Sequence, residues 1–452
     1  MNNAAAIPEI LTIAGLRALY AGGETTPADV VRAIVRRARE DEGMNVWITP
    51  PEWSRIEPYV KKLEELDPKD APLWGIPFAI KDNIDWSAAP TTAACPAFAY
   101  EPSADAAVVE RLIAAGAIPL GKTNLDQFAT GLVGSRSPYG ETHNALKPEL
   151  ISGGSSGGSA VAVALGHAAF SLGTDTAGSG RVPALLNRLV GYKPSLGAWP
   201  VRGVVPACES LDCVTVFASE LADAMAVDAV ARGLHEEDPW SRELPAQAVA
   251  LPSRICVPAL EALEFYGPFA EAYREAWLAS VERLRELGIP VEEADISLYG
   301  DAAAVLYEGP WVAERWAGLG EFVEAHPGDV FPVTERILRS GADAKHTAGA
   351  LFQAMHKLQG YKLEARKRLA DAVLVLPTAG GTWTREQVRQ DPVATNRDMG
   401  KYTNHCNLLD MCAVSVPSAD AVEDLPFGIT LFAMAEREDL IRGTAEAWGK
   451  GR

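Results

Sequence analysis

The stretch "GSAVAVALGHAAFSLGTDTAGSGR", residues 158–181, decides the fold. Its first part, "GSAVAVALGH" (158–167), is small and apolar on every side, as suits a helix buried in a protein interior. "AAFSLGTD" (168–175) follows as a short buried strand. The strand then stops at "TAGSG", where two glycines flank Ser179. A helix feeding a buried strand is one unit of an α/β sheet with helices on its faces. A strand end that must bring a nucleophile and several backbone N–H groups to one point needs glycine, which alone reaches positive φ cheaply.

The same alternation runs upstream. "WGIPFAIKDN" (74–83) predicts a buried strand ending on polar residues, "ADAAVVERLIAAG" (104–116) an amphipathic helix closed by Gly116, and "AIPLGKTN" (117–124) the next strand. Residues 10–42 predict two short helices, the second opened by Thr26-Pro27 with Asp29 in its first turn. Beyond about residue 215 the pattern loosens into long helices at 219–234 and 271–288 around a strand at 253–258. "AVLVLPTAGG" (372–381) and "LPFGITLFA" (425–433) are expected to return to the sheet. The expected organisation is one α/β domain: a helical lead (1–65), a core (about 66–215) and an elaborated, largely helical part (about 216–452).

Composition narrows the function. The chain has 452 residues, 48% of them hydrophobic and 22% charged, which is a globular composition. A net charge of −19 argues against nucleic acid or an anionic membrane surface as partner. It leaves room for a small anionic substrate, because salt screens over ~8 Å and lets a local arginine outweigh distant carboxylates. "MNNAAAIPEI" lacks a basic region followed by an apolar one, so a cytoplasmic chain without a signal peptide is expected. Six sparse cysteines predict reduced, buried thiols. Seven histidines without metal-ligand spacing predict no metal, and no motif asks for a cofactor.

Three polar interruptions then mark the chemistry: Lys81 in "AIKDN", Ser155 in "SGGSSGGS" and Ser179 in "GTDTAGSG". Open α/β sheets place their sites where strands end. Taken singly, each has a plain explanation: a solvated lysine, a flexible Gly/Ser loop, a tight turn. "GGSSGGSA" matches neither phosphate-binding pattern. With no histidine near Ser179, its base would be Lys81. To serve, the amine must lose roughly three units of pKa through burial, about 4 kcal/mol against its charged form.

Lys81, "SGGSSGGSAVAVA" and "SLGTDTAGSGRVPA", in this order, resemble the amidase signature family, and the resemblance covers nearly the whole chain. It implies a single α/β/α domain around a large mixed sheet. It also implies a triad of Ser179 as nucleophile, Ser155 as bridging serine on a cis peptide, and Lys81 as base. The family's oxyanion hole maps to the backbone N–H groups of Thr176, Ala177, Gly178 and Ser179.

Within the family, "KTNLDQFATGLVGSRSPYG", "GVVPACESLDC" and "LYEGPWVAER" resemble the allophanate hydrolase branch more than the subunit that amidates charged tRNA. That resemblance implies hydrolysis of allophanate with release of ammonia through an acyl-enzyme, and a homodimer. Its alternatives are another small carboxylated amide, biuret-like or malonamate-like, or a non-catalytic amidotransferase-type subunit. Tyr307 and Arg315 match the branch's substrate-contacting tyrosine and arginine, and a guanidinium fork suits a planar carboxylate. Without the resemblance, both are ordinary residues on one helix face. Gln127 and Gly131 fall in the pocket-proximal segment, where Gln127 either bonds a urea-like group or buttresses the loop. Lys122, Asp175 and Arg181 are expected to pin the two glycine-rich segments.

Two departures stand out. Glu209 occupies a position where arginine is expected, reversing a charge near the site. Full-length members of the branch usually carry a further C-terminal domain, which this sequence, closing on "AEAWGKGR", is expected to lack either as an excised amidase domain or as a naturally short enzyme.

Overall fold

Eleven strands form one mixed sheet in the computed structural model, which describes residues 7–307 and 309–450. They are β1 Trp47–Thr49, β2 Pro77–Lys81, β3 Ile118–Thr123, β4 Phe170–Asp175, β5 Val190–Lys193 and β6 Cys213–Ala218. The remainder are β7 Arg254–Val257, β8 Val291–Glu293, β9 Ala372–Pro377, β10 Met411–Pro417 and β11 Gly428–Met434. Their spatial order is β1-β3-β2-β4-β6-β5-β10-β11-β9-β7-β8.

Every residue of β2, β3, β4, β6, β9, β10 and β11 is buried. Strands covered on both faces have no polar side to show, which is why they read as near-continuous apolar runs. Helix Gly157–Ala164 packs on β4, helix Leu221–Ala231 on β6, and helix Glu438–Lys450 on β10 and β11. The N-terminal lead forms helices Ile13–Ala21 and Pro27–Glu40, and Thr26 caps the second by accepting the Asp29 N–H at 3.2 Å. Among the described residues no helix is long and apolar enough to cross a membrane. All six cysteines are buried free thiols.

The second half combines long helices, among them Ala270–Arg285, Val312–Ala325 and Ala348–Arg368, with strands β7 to β11, of which β10 and β11 lie well inside the sheet. β1, β5, β6, β8 and β10 were not expected. β1, β5 and β8 are only three or four residues long, and β6 and β10 are short, largely apolar runs, a pattern that does not separate a buried strand from a buried helical turn.

For the site, the decisive feature is that β2 lies between β3 and β4 and runs parallel to both. The C-terminal ends of β2 and β4 therefore open side by side on one edge of the sheet, the position where open α/β sheets bind ligands.

Candidate active site

Lys81 ends β2, and the pairing of Ile80 with Leu172 sets it beside the Gly173–Thr174 stretch of β4. Its Nζ lies 2.8 Å from Ser155 Oγ and 2.7 Å from Thr174 Oγ1, and all three residues are buried. Ser155 follows a cis peptide bond from Gly154. The loop is stitched down on both sides: Asp126 N–H donates to the Ser155 carbonyl at 3.0 Å, and Ser156 Oγ donates to the Thr174 carbonyl at 3.2 Å. Burial lowers the Lys81 pKa to about 7, although Asp212, Asp126 and Asp175 each oppose the change. Near neutrality the amine is thus neutral about as often as charged, the condition for a lysine to accept a proton.

Ser179 sits 4% exposed in the turn that leaves β4. The turn is braced from within. Asp175 accepts Gly178 N–H at 2.8 Å and Gly180 N–H at 3.0 Å, and it pairs with the buried Arg181 guanidinium at 2.9 and 3.0 Å. Burial alone would raise the Asp175 pKa, but Arg181 outweighs it and holds the carboxyl below its usual range. Gly178 has φ +140, and a Cβ there would stand 2.3 Å from Thr403 Oγ1, so only glycine fits.

Of the four N–H groups expected to face an oxyanion, that of Gly178 is already taken by Asp175. Those of Thr176, Ala177 and Ser179 meet no acceptor among the described residues. Backbone N–H groups left without an acceptor in the turn that carries Ser179 are the kind of donor from which an oxyanion hole is built.

The residues expected around the substrate are divided by the structure. Arg315 is 2% exposed on helix Val312–Ala325, not a surface residue, and its Nη1 donates to Thr130 Oγ1 at 2.8 Å. Tyr307 ends a separate helix, Ser297–Tyr307, and its side chain lies outside the described part of the structure. Gln127 buttresses the backbone with both ends of its amide: its Nε2 donates to the Ala94 carbonyl at 2.9 Å and its Oε1 accepts Phe331 N–H at 2.7 Å.

Gly131 follows Thr130 and packs on Asp126, whose Oδ2 would stand 2.4 Å from an added Cβ. Asp126 itself accepts the N–H groups of Val133, Gly134 and Arg136. Lys122 does not pin a glycine-rich segment; it pairs with Asp82 at 3.2 Å. Glu209 is exposed and accepts the Trp240 indole N–H at 3.0 Å.

Several residues that shape the site carried no signal in the sequence. Thr403 Oγ1 donates to the Ala177 carbonyl at 2.8 Å, and the N–H of that same peptide, that of Gly178, is the one Asp175 accepts, so both sides of the peptide are held. Asn407 donates to the carbonyls of Asp175 and Leu211. Asp212 accepts the Thr176 hydroxyl. Phe128 and Ala129, at φ 52 and 51, lean on Ala93 and Ala94, at φ 48 and 58. Left-handed backbone at four non-glycine residues costs energy and concentrates at functional sites. A cavity of about 580 Å³ bordered by Thr130, Arg136, Val312 and Asn404 adjoins the Arg315 side.

Comparison with known proteins agrees with this geometry. The amidase family matches residues 29–441. The chain is 43% identical to the urea amidolyase of Saccharomyces cerevisiae over 396 residues, 86% of this chain but 21% of that one. It therefore spans about a fifth of the length of the urea amidolyases it matches. It is 32% identical to a glutamyl-tRNA(Gln) amidotransferase subunit of Thermus thermophilus over 94% of both chains. Among solved structures, the allophanate hydrolase of Kluyveromyces lactis superposes with a TM-score of 0.90 at 37% identity, covering 98% of this chain and 73% of that one. With its eleven-stranded mixed sheet and a match over most of its length, the chain belongs to the amidase family of hydrolases that cleave linear amide C–N bonds.

Proposed function

We propose that the chain hydrolyses allophanate (urea-1-carboxylate) at its terminal amide, with Ser179 as nucleophile, Ser155 as proton relay and Lys81 as base. The observation that carries this reading is the 2.8 Å contact between a fully buried amine and Ser155. A charged lysine buried there would be costly, whereas a neutral one is useful. Ser179 Oγ attacks the amide carbonyl, its proton passes to Ser155, and the Ser155 proton passes to Lys81. The oxyanion is met by the N–H groups of Thr176, Ala177 and Ser179. On collapse the C–N bond breaks, the proton returns through Ser155, and ammonia leaves an acyl-enzyme. Water then adds by the same relay and frees N-carboxycarbamate, which decarboxylates.

The substrate assignment is supported by the higher identity to urea amidolyases, 43–44%, than to amidotransferase subunits, 29–36%. The buried Arg315 supports it as well, since its guanidinium suits a planar carboxylate. The experiment is ammonia release from allophanate, with glutamine and malonamate as comparison substrates and Ser179→Ala as blank. Release confined to allophanate and abolished in the blank is the expected result. Release from another amide alone discards the substrate and keeps the serine.

A further inference from the structure

The antiparallel register of β4 and β6 continues past its last bonded pair. Asp175 faces Cys213, so the next positions outward, Thr176 and Asp212, face each other. Their side chains meet: the Thr176 hydroxyl donates to Asp212 Oδ1. The second carboxylate oxygen accepts Ala207 N–H at 2.6 Å and Cys208 N–H at 3.2 Å. Asn407 clamps the same two strand ends, at 2.8 Å to the Asp175 carbonyl and 2.7 Å to that of Leu211. An amide or a second hydroxyl would hold Thr176 equally well without the penalty of a buried charge. The charge itself therefore calls for a role.

Thr174, which accepts from Lys81 Nζ at 2.7 Å, and Thr176, which donates to Asp212, are two residues apart at the end of β4, so Asp212 meets the strand end that Lys81 meets. Asp212, Asp126 and Asp175 each favour the charged form of Lys81. Asp175 is neutralised by Arg181, and Asp126 is enclosed by backbone N–H groups. Asp212 has the strongest hold of the three on the Lys81 proton. Arg315 acts on Asp212 from helix Val312–Ala325, and the Cys208 thiol beside it is pushed up to about 12 by burial.

We propose that Asp212 is a positioning residue of the hydrolytic site: it holds the donor-bearing turn through Thr176, and its charge stabilises the ammonium formed when Lys81 takes the nucleophile's proton. The inference rests on the serine–serine–lysine reading above. Asp212 raises the basicity of Lys81 while remaining outside proton transfer, because both its oxygens are already occupied. Burial pushes its own pKa up to about 6 against the opposing hydrogen bonds and Arg315. Above that value it is an anion; below it, protonation weakens its hold on Lys81.

The test uses the full chain, Asp212→Asn and Thr176→Val. Ser179 labelling by a fluorophosphonate probe and ammonia release from allophanate are both followed across neutral pH. Asp212→Asn keeps the shape and removes the charge. Its acid limb is expected to move to lower pH by about half a unit to one unit, with kcat down ~10- to 100-fold and KM within about twofold. Thr176→Val keeps the charge and removes the strut, so kcat is expected to fall about tenfold with the limb unmoved. An acid limb in Asp212→Asn that coincides with the wild type overturns the proposal. So does wild-type kcat in Thr176→Val, which decides the matter if Asp212→Asn does not fold. The expected pattern in labelling, with allophanate untouched, supports Asp212 and discards only the substrate. A wild-type chain that the probe never labels overturns both readings.

Discussion

Lys81 Nζ and Ser155 Oγ lie 2.8 Å apart although 74 positions separate them in the chain. Two parallel strand ends and one glycine-rich loop make that contact, and the burial that accompanies it converts a strong base into one balanced near neutrality.

Loss of any member of this set is expected to stop turnover. Ser179→Ala, Ser155→Ala and Lys81→Met should each lower kcat about 10³- to 10⁵-fold in an ammonia-release assay, because the three act as a unit. The single changes should therefore not add when combined.

The rate should rise with pH through about 7 and then level off. Lys81 must be neutral to accept a proton, and its folded pKa is about 7. A kcat/KM profile of the free enzyme reads this limb directly.

The same lysine has a cost in stability whose sign is fixed by its depressed pKa. Between about 7 and 10.5 the unfolded chain binds more protons at this site than the folded one, so this contribution to stability rises with pH in that window. The penalty is fully present below 7. Lys81→Met should therefore raise the melting temperature most near pH 6, by an amount equivalent to about 1–4 kcal/mol, and progressively less toward pH 10.

Arg315 separates substrate binding from chemistry. Arg315→Met should lower kcat/KM for allophanate about 10- to 100-fold, mainly through KM, since a charge-assisted bond contributes ~1.5–3 kcal/mol. A neutral amide of similar size should be nearly indifferent to the change. Comparison of the two substrates on one variant checks it.

Arg181 tests the brace. Arg181→Met leaves Asp175 buried without its partner and should cost about 3–5 kcal/mol by denaturant unfolding. The depressed pKa of Asp175 places the pair's contribution above the unfolded value of 3.8, and it is lost as pH falls further. Adding Asp175→Asn should recover part of the stability without restoring activity, because a side-chain amide keeps one acceptor oxygen where the carboxylate used two for the Gly178 and Gly180 N–H groups.

How far the residues could be followed without coordinates depended on how local each signal was. The N-terminal helix Pro27–Glu40 was legible from its Thr26 cap and helical spacing, and β2, β3, β4 and helix Gly157–Ala164 from apolar runs bounded by glycine and polar residues. Lys81, Ser155 and Ser179 each had a plain explanation when taken singly, and only their order and spacing together singled them out; the structure puts Lys81 against Ser155. The role of Gln127 was not legible: an amide in a pocket-proximal segment looks the same whether it faces a ligand or two backbone groups, and here it faces Ala94 and Phe331. Nor does the sequence show that Gly178 is no free donor, since Asp175, three residues earlier, takes its N–H.

The sequence by itself determined the α/β character and the family. These depend on composition and spacing within single segments. Only the tertiary structure decided which charge acts on which. It pairs Lys122 with Asp82, buries Arg315 against Thr130, and uses the β4–β6 register to bring Asp212 to Thr176. Spacing along the chain carries no information about such contacts, because electrostatic influence follows distance through a low-dielectric interior.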